Sequence, residues 1–264
     1  MPKLVLSLFP GIDLLGRGFE ECGFCVVRGP DVLWGGDIYT FYPPAGRFEG
    51  VIAGSPCQDF SRARRSEPTG EGLALLSEFV RVVVEARPDW FLLENVPTVP
   101  TLEVEGYRMQ RLDLDARDCG MSQRRLRHFQ FGSASGRVLV VTRRGRPAIE
   151  ESQPTCLASE GSRKHRRSWA DFCQLQGLPP DFSLPGMTLT ARYAAVGNGV
   201  AVPVAQVLAR AILGAVPWHA VRLCACGCGR PVTGRQTMAT ASCRKRMERR
   251  RRDSMPISSA AASQ

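Results

Sequence analysis

The stretch "VIAGSPCQDFSR", residues 51 to 62, passes from a short apolar run into a loop and places Cys57 directly behind Pro56. A short apolar run bounded by glycine and proline predicts a buried strand, which here ends just before the cysteine. Most lone cysteines in such a place are small buried residues. A nucleophile is the alternative, because the loops that follow buried strands are where α/β proteins bind their ligands.

Strands and helices alternate around this stretch. Apolar runs predict strands at 3–9, 25–29, 50–54 and 89–97, and a late β pair at 127–132 and 137–142. Helical spacing predicts helices at 13–24, 73–88 and 200–216. The alternation predicts an α/β fold with a parallel sheet and helices on both faces. The strand ends would then bring Cys57, Glu94 and the turn "FPGID" (9–13) to one edge of the sheet.

Length, cysteine content and charge narrow the class of protein. The 264 residues suffice for one large domain and a small appendage. No apolar run approaches the roughly 18 residues of a membrane span, and the N-terminus lacks the basic region and cleavage site of a signal peptide. We therefore expect a cytoplasmic protein, whose ten cysteines serve thiol chemistry, metal binding or burial rather than disulfides. The net charge of +10 favours nucleic acid as a partner.

The segment 219–252 differs in composition from the rest of the chain and ends in the basic run "RKRMERRRR" (244–252). It holds four clustered thiols, which are Cys224, Cys226, Cys228 and Cys243. Four thiolates around tetrahedral zinc would stabilise a segment too short to build its own core. A zinc knuckle is one interpretation, and a disordered basic tail with incidental thiols is the other. In either case we expect the arginines to contact phosphates, and residues 253–264 have the composition of a disordered tail.

Six motifs, in order, resemble those of the C5-cytosine DNA methyltransferases. They are "LSLFPGIDLLGRGFE" (6–20), "GSPCQDFS" (54–61), "LENVP" (93–97), "SQRRLRHFQFG" (122–132), "WADFCQLQGLPPDF" (169–182) and "VGNGVAVPVA" (196–205). The resemblance implies a Rossmann-like, S-adenosylmethionine-dependent methyltransferase domain over residues 1–218, with the Cys-rich segment as a small appendage.

The resemblance also implies a reaction on cytosine. The Cys57 thiolate would add to C6 of the base, which activates C5 toward the methyl donor. Glu94 would protonate or hydrogen-bond N3, and Arg127 would bind the base carbonyl. Arg125 would support this site, and Gln123 belongs to the same motif. A paired cytosine would have to be flipped out of the duplex.

S-adenosylmethionine is the cofactor that the resemblance implies. Phe9 would face the sulfonium, Asp31 the ribose, and Asp37 with Ile38 the adenine. The full set of cofactor residues carried over is Phe9, Gly11, Ile12, Asp13, Asp31, Asp37, Ile38, Pro56, Asn198 and Val200. The chain departs from the family where Asp13 and Leu14 replace two glycines and where only five residues separate Asp31 from Asp37.

A second departure concerns target recognition. The family has a recognition domain behind the Arg127 motif, but here only residues 133–167 lie there, with a candidate hairpin at 136–147 and a basic loop at 161–168. Few side chains are thus available for reading bases, and we expect either a very short target in double-stranded DNA, of about one or two base pairs, or recognition supplied from elsewhere.

We expect a monomer in a prokaryotic or phage-infected cell. Two other functions stay open. One is an RNA (tRNA) C5-cytosine methyltransferase, and the other is a non-catalytic DNA-binding relative.

Overall fold

The computed structural model describes residues 3–61, 67–145, 148 and 151–253. A six-stranded sheet forms the centre of the fold. Its strands are β1 (Lys3–Leu8), β2 (Phe24–Arg28), β3 (Gly50–Gly54), β4 (Trp90–Asn95), β5 (Arg108–Asp115) and β6 (Leu126–Ser133). We predicted disorder for residues 253–264; Asp253 is instead the last residue of a helix, and residues 254–264 lie outside the described residues.

The strand order across the sheet is β2-β1-β3-β4-β6-β5. The first four strands run parallel, whereas β6 lies antiparallel to both β4 and β5. The sheet is therefore mixed, and the expectation of a parallel sheet holds for the first four strands only. The predicted pairing of 127–132 with 137–142 is wrong, because β6 pairs with β4 and β5. In the second segment β7 (Arg137–Val138) pairs with β8 (Val216–Pro217).

Helices cover both faces of the sheet, as predicted. The helices of the described residues are α1 (Leu14–Glu20), α2 (Glu71–Ala86), α3 (Trp169–Leu175), α4 (Leu189–Asn198), α5 (Val202–Leu213) and α6 (Ala241–Asp253). α1 and α5 pack against each other at Gly18, where a side chain would meet Ala205. On the opposite face, α2 buries Leu76 and Phe79 against the sheet.

The helices α3 and α4 were not predicted. α3 begins behind Ser168 and α4 behind Thr188, and both hydroxyls accept a hydrogen bond from a backbone N–H three residues on. In α4 the apolar residues do not form a strong stripe along one face, so its sequence shows little helical periodicity.

The stretch Leu189–Leu213 is long and apolar enough, by composition, to cross a membrane. In the fold it forms α4 and α5, which are separated at residues 199–201. Its most apolar window is 61% buried inside the protein, and core helices satisfy the same length and composition criteria.

Part of the reduced segment 133–167 packs into the core. Val138, Leu139 and Val141 are buried. The side-chain amide of Gln110 in β5 pairs with the backbone of Leu139, donating to its oxygen (3.0 Å) and accepting from its nitrogen (2.7 Å). The predicted hairpin is therefore wrong for the described residues 136–145, which cover the edge strand of the sheet instead.

Residues 219–253 form what we call the four-cysteine module. It contains a two-stranded ribbon, β9 (Arg222–Leu223) with β10 (Pro231–Val232), followed by α6. Its own small core consists of the four cysteines, Val232 and the partly buried Met238, Ala239 and Met247. Gly229 lies so close to Leu112 of β5 that no side chain would fit there, so the module packs directly on the edge of the sheet.

Candidate active site

Cys57 lies just beyond the end of β3 and begins a single 3₁₀ turn over Gln58–Phe60. Asn95, the last residue of the neighbouring strand β4, donates from Nδ2 to the carbonyl (3.2 Å) and the hydroxyl (2.9 Å) of Ser55. Because Ser55 comes two residues before the cysteine, these bonds fix the loop that carries Cys57 to the adjacent strand end.

Asp59 fixes the same loop from its other side. Its carboxylate accepts from the backbone N–H of Thr69 (3.0 Å) and of Gly72 (2.8 Å) at the start of α2. The hydroxyl of Thr98 donates to the carbonyl of Phe60. Sequence reasoning did not predict these contacts.

Glu94 and Arg127 form an ion pair whose charges act on the Cys57 thiol. Nε of Arg127 lies 3.0 Å from Oε1 of Glu94, and the two side chains are only 19% and 9% exposed. The residues occupy the neighbouring strands β6 and β4, near the end where β3 also stops. The predicted nucleophile, acid and cation thus meet at one edge of the sheet.

Burial and charge decide the protonation of these groups. Burial raises the pKa of the Cys57 thiol and the Glu94 carboxylate raises it further, while Arg127 and Arg125 oppose the rise. Burial also raises the pKa of Glu94, again against Arg127 and Arg125. The site therefore favours a neutral thiol, and its carboxyl group holds a proton more readily than an exposed one would.

Arg125 and Gln123 lie in the buried framework behind this site. The guanidinium of Arg125 donates at 2.9 Å to three backbone carbonyls, those of Cys156, Gly197 and Gly199. Gln123 donates to the carbonyl of Leu175 (2.6 Å) and accepts from the N–H of Cys156 (2.8 Å). Arg125 acts on the thiol through its charge, whereas Gln123 ties the segments around α3 to β6.

The loop behind β1 has a left-handed backbone at three positions, namely Phe9 (φ 51°), Gly11 (φ 55°) and Asp13 (φ 57°). Phe9 and Asp13 bear side chains and are strained in this conformation, and strain of this kind concentrates at functional sites. No atom lies within 4 Å of the position that a Cβ of Gly11 would take. The backbone of Gly11 therefore borders open space.

Asp13 replaces one of the expected glycines and folds back on its own helix. One carboxylate oxygen accepts from Ser7 Oγ and from Gly16 N, both at 2.9 Å. The other oxygen lies 3.1 Å from Nε of Arg28 without the geometry of a hydrogen bond. Burial raises the pKa of Asp13, and Ser7, Gly16 and Arg28 oppose the rise. The aspartate thus caps α1 and holds the loop.

Asp31 and Trp34 fix both polar backbone atoms of Gly11. The carboxylate of Asp31 accepts from the N–H of Gly11 (2.7 Å) and of Leu33 (2.8 Å), and Nε1 of Trp34 donates to the Gly11 carbonyl (2.7 Å). Trp34 is 64% exposed beside the loop. Sequence reasoning missed it; its place in the short stretch between Asp31 and Asp37 was the available signal.

The other predicted cofactor residues differ in exposure. Asp37 is exposed and caps a short turn, whereas Ile38 is buried under α2 and Val200 under α5. Asn198 is exposed at the end of α4, and Pro56 is partly exposed.

A groove of about 510 Å³ adjoins the loop on one side. It is lined by Ile12, Asp13, Leu14, Arg17, Glu20, Glu21, Arg28 and Phe182. Of the predicted cofactor residues only Ile12 and Asp13 line this groove.

The four thiols of the four-cysteine module converge on one point. They are all buried, and their sulfur atoms lie within 4.8 Å of one another. Cys224 and Cys226 are 3.5 Å apart and Cys228 and Cys243 are 3.7 Å apart. Tetrahedral zinc with Zn–S bonds of about 2.3 Å would separate its sulfurs by about 3.8 Å. This donor set fits zinc.

Donors from the protein also point at the sulfurs. The N–H of Ala239 lies 3.2 Å from Cys224 Sγ, and the hydroxyl of Thr240 lies 3.0 Å from Cys243 Sγ. Hydrogen bonds of this kind favour the thiolate form that a metal requires.

Residues 36–160 match the family model of the C-5 cytosine-specific DNA methylases. The Type II methyltransferase M.HgiGI of Herpetosiphon aurantiacus is 31% identical over 117 residues, which make up 34% of this chain and 88% of that protein. The chain belongs to the C5-cytosine DNA methyltransferase family. The segment matched by the family model contains Cys57, Glu94 and Arg127.

Longer family members are similar over part of their length. The Type II methyltransferase M.HgiDI of Herpetosiphon aurantiacus is 30% identical over 165 residues, 50% of this chain and 53% of that protein. The chain spans about half the length of M.HgiDI and of M.HgiDII.

Among solved structures, DNMT2 of Spodoptera frugiperda matches with a TM-score of 0.59 and 12% identity. The match covers 80% of this chain and 99% of that chain. At this identity the likeness shows a shared fold, which bears out the methyltransferase fold predicted for the core.

Proposed function

We propose that this chain methylates C5 of cytosine in DNA, with Cys57 as the nucleophile. The observation that carries the proposal is the position of Cys57 beside the buried Glu94–Arg127 ion pair. A thiol, a carboxyl group whose pKa is raised by burial and a guanidinium are the three groups that addition to a cytosine ring requires.

The proposed chemistry assigns one role to each residue. The Cys57 thiol loses its proton to water, and the thiolate forms a bond to C6 of the base while Glu94 delivers a proton to N3, so that the ring gains no net negative charge and C5 becomes nucleophilic. Arg127 holds the Glu94 carboxyl group in place and binds the base carbonyl. After methyl transfer a water molecule takes the C5 proton, which restores the C5–C6 double bond and expels the Cys57 thiolate, and N3 returns its proton to Glu94.

The base must leave the DNA stack to reach this site, at a cost of about a few kcal/mol. The loop around Cys57 is fixed to β4 by Asn95 and to α2 by Asp59. We infer that these anchors keep the thiol in place while the base enters, so that the loop is not reordered at every turnover.

S-adenosylmethionine supplies the electrophilic methyl group when it is bound. Gly11 fits a role in holding it, because its backbone borders open space and is fixed by Asp31 and Trp34. Phe9 and Trp34 offer aromatic faces that suit a cation and a nucleobase. The strained backbone of Phe9 and Asp13 is consistent with a loop shaped by a ligand.

We further propose that the four-cysteine module binds one structural zinc ion through Cys224, Cys226, Cys228 and Cys243. The convergence of four buried sulfurs supports this interpretation over that of incidental thiols. Together with the Type II methyltransferase relatives, the proposal implies action on double-stranded DNA in the bacterial cytoplasm.

Methyl transfer from tritiated S-adenosylmethionine tests the proposal. Duplex DNA and tRNA are offered in parallel to the full chain, to Cys57→Ser and to Cys25→Ser, which makes the same change at an exposed cysteine away from the site. We expect label in DNA for the wild type and Cys25→Ser. Cys57→Ser should fall to background, because a hydroxyl is a far weaker nucleophile at neutral pH.

The alternatives give different results. Label in tRNA and none in DNA would reassign the substrate. No label in either substrate, from protein that binds DNA, would favour a non-catalytic DNA-binding relative. Bisulfite sequencing of the methylated DNA then gives the target site.

A further inference from the structure

The four-cysteine module is held on β5 by two arginines that reach across the boundary. Arg143 pairs with Asp118, donates to the Asp113 carbonyl (2.9 Å) and lies 3.4 Å from the carbonyl of Cys228 in the module. Arg230 of the module lies 3.7 Å from Asp118. The module is thereby fixed in position on the sheet.

A second contact fixes the helix α6. Arg246 donates to the carboxylate of Asp113 in β5. The other oxygen of Asp113 lies 2.7 Å from Nδ1 of the buried His128, whose Nε2 accepts from Nε of Arg111 (3.1 Å). The imidazole proton therefore lies on Nδ1 and is donated to Asp113. His128 and Arg246 outweigh burial and keep the pKa of Asp113 below its usual range, so the carboxylate is charged.

The register of the sheet places this contact near the active site. Asp113 pairs with His128, and His128 pairs with Asn95, the residue directly after Glu94. Asp113 is thus two strand spacings from the end of β4, or about 10 Å. His128 also follows Arg127 directly in β6. The helix α6 is therefore anchored at the same end of the strands as Cys57.

The faces of α6 have different roles. Cys243 and Met247 pack into the core of the four-cysteine module, and Arg246 is bound to the sheet. Arg244 and Lys245 are exposed on the outside. The run "RKRMERRRR" brings seven basic residues and one acid to this helix. Such a charge density at the active-site edge suits a nucleic-acid backbone.

We propose that α6 is the phosphate-binding surface that holds duplex DNA over the active site, with Arg246–Asp113 as the contact that orients it. This rests on the proposed function, because it takes DNA as the substrate. Within the described residues the segment 133–167 buries Val138, Leu139 and Val141 and exposes a basic loop at 163–166, which carries fewer basic residues than α6. The module would thus supply part of the DNA affinity that a full recognition domain would otherwise provide.

Asp113→Asn tests the proposal because the anchoring of α6 and the change in net charge predict opposite effects on DNA affinity. The change removes one negative charge, which by charge alone should tighten DNA binding slightly. Asp89→Asn makes the same change at an exposed site at the far end of β4 and serves as the matched control. If Asp113 orients α6, Asp113→Asn should instead weaken binding to a labelled duplex about tenfold, because several phosphate contacts are lost together.

The salt dependence and a double mutant complete the test. Arg244→Gln should lower the slope of log Kd against log salt by about 0.9, the value of one phosphate contact, and Arg246→Gln should lower it further. The double mutant Asp113→Asn/Arg246→Gln should bind DNA no more weakly than whichever single mutant has the lower DNA affinity. Both substitutions remove the same Arg246–Asp113 contact, so their effects should not add. S-adenosylmethionine binding by calorimetry shows that each variant is folded.

Two results would overturn the proposal. One is an Asp113→Asn variant that binds DNA as tightly as Asp89→Asn. The other is additive losses in the double mutant, which would mean that Asp113 does not act through Arg246. Wild-type protein that fails to methylate DNA would contradict the proposed function instead, so the two failures are distinguishable.

Discussion

Cys57 is surrounded by charges that shift its pKa in opposite directions. Burial and Glu94 raise the pKa of the thiol, and Arg127 and Arg125 lower it. The carboxyl group that we expect to protonate the base therefore also opposes ionisation of the nucleophile. The two roles of Glu94 can be separated by substitution. Removing the carboxyl group should ease ionisation of the Cys57 thiol but should also remove the proton donor to the base.

Glu94→Gln should make the Cys57 thiol more acidic and the enzyme slower. The neutral amide no longer repels the thiolate, so the midpoint of the pH dependence of Cys57 alkylation should move to lower pH. Loss of the general acid should still lower kcat by about 10² to 10⁴-fold. Peptide mapping after iodoacetamide treatment at a series of pH values, together with kcat measurements, gives both quantities.

Arg127→Gln is the matched variant on the other side of the ion pair. It removes a positive charge near the thiol and should move the alkylation midpoint to higher pH. An unchanged midpoint in Glu94→Gln, or a shift of both variants in the same direction, would contradict the electrostatic account.

The sequence predicted that Cys57 and Glu94 lie at one edge of the sheet, because each stands at the end of a short apolar run that is typical of a buried strand and parallel strands end at a common edge. The sequence did not predict that side chains from another turn bind both polar backbone atoms of Gly11. Asp31 was expected to bind ribose, and Trp34 was not considered.

At the level of elements, the strand β5 explains most of the differences between prediction and structure. Its apolar residues Leu112 and Leu114 alternate with the polar Arg111 and Asp113, which is a strand signal, but we predicted no strand there. The polar residues are satisfied by His128 and Arg246, which lie far away in the chain. Such pairings leave no periodic pattern in the sequence.

The four-cysteine module should contain about one zinc ion per chain. Cys226→Ser should lose the metal, because its sulfur is fully buried among the other three. Cys25→Ser makes the same exchange at an exposed cysteine and should retain it. Metal analysis by plasma mass spectrometry measures both, and hydrogen exchange should show deprotection of residues 219–253 with β1, β3 and β4 still protected.

Zinc-free wild-type protein that keeps these amides protected would contradict the zinc site. Loss of protection in the central strands as well would show instead that the module stabilises the whole sheet.

For the whole molecule, the order of the motifs along the chain predicted the methyltransferase core, because each motif ends a strand or begins a helix of the same sheet. The antiparallel half and the docking of the module were not predictable. They depend on ion pairs such as Arg230–Asp118 between residues more than a hundred positions apart. The sequence showed that Asp13 replaces an expected glycine in the first loop. It did not show that the Asp13 side chain folds back to cap α1.

The central claim is that Cys57 forms a covalent bond to cytosine during methyl transfer. Duplex DNA that contains 5-fluorocytosine tests it most directly, because fluorine cannot leave C5 as a proton does. With S-adenosylmethionine present, we expect a covalent protein–DNA complex that survives denaturing electrophoresis and maps by mass spectrometry to the peptide with Cys57. Cys57→Ser should give none. Protein that methylates ordinary DNA yet forms no adduct, or an adduct at another cysteine, would contradict the account.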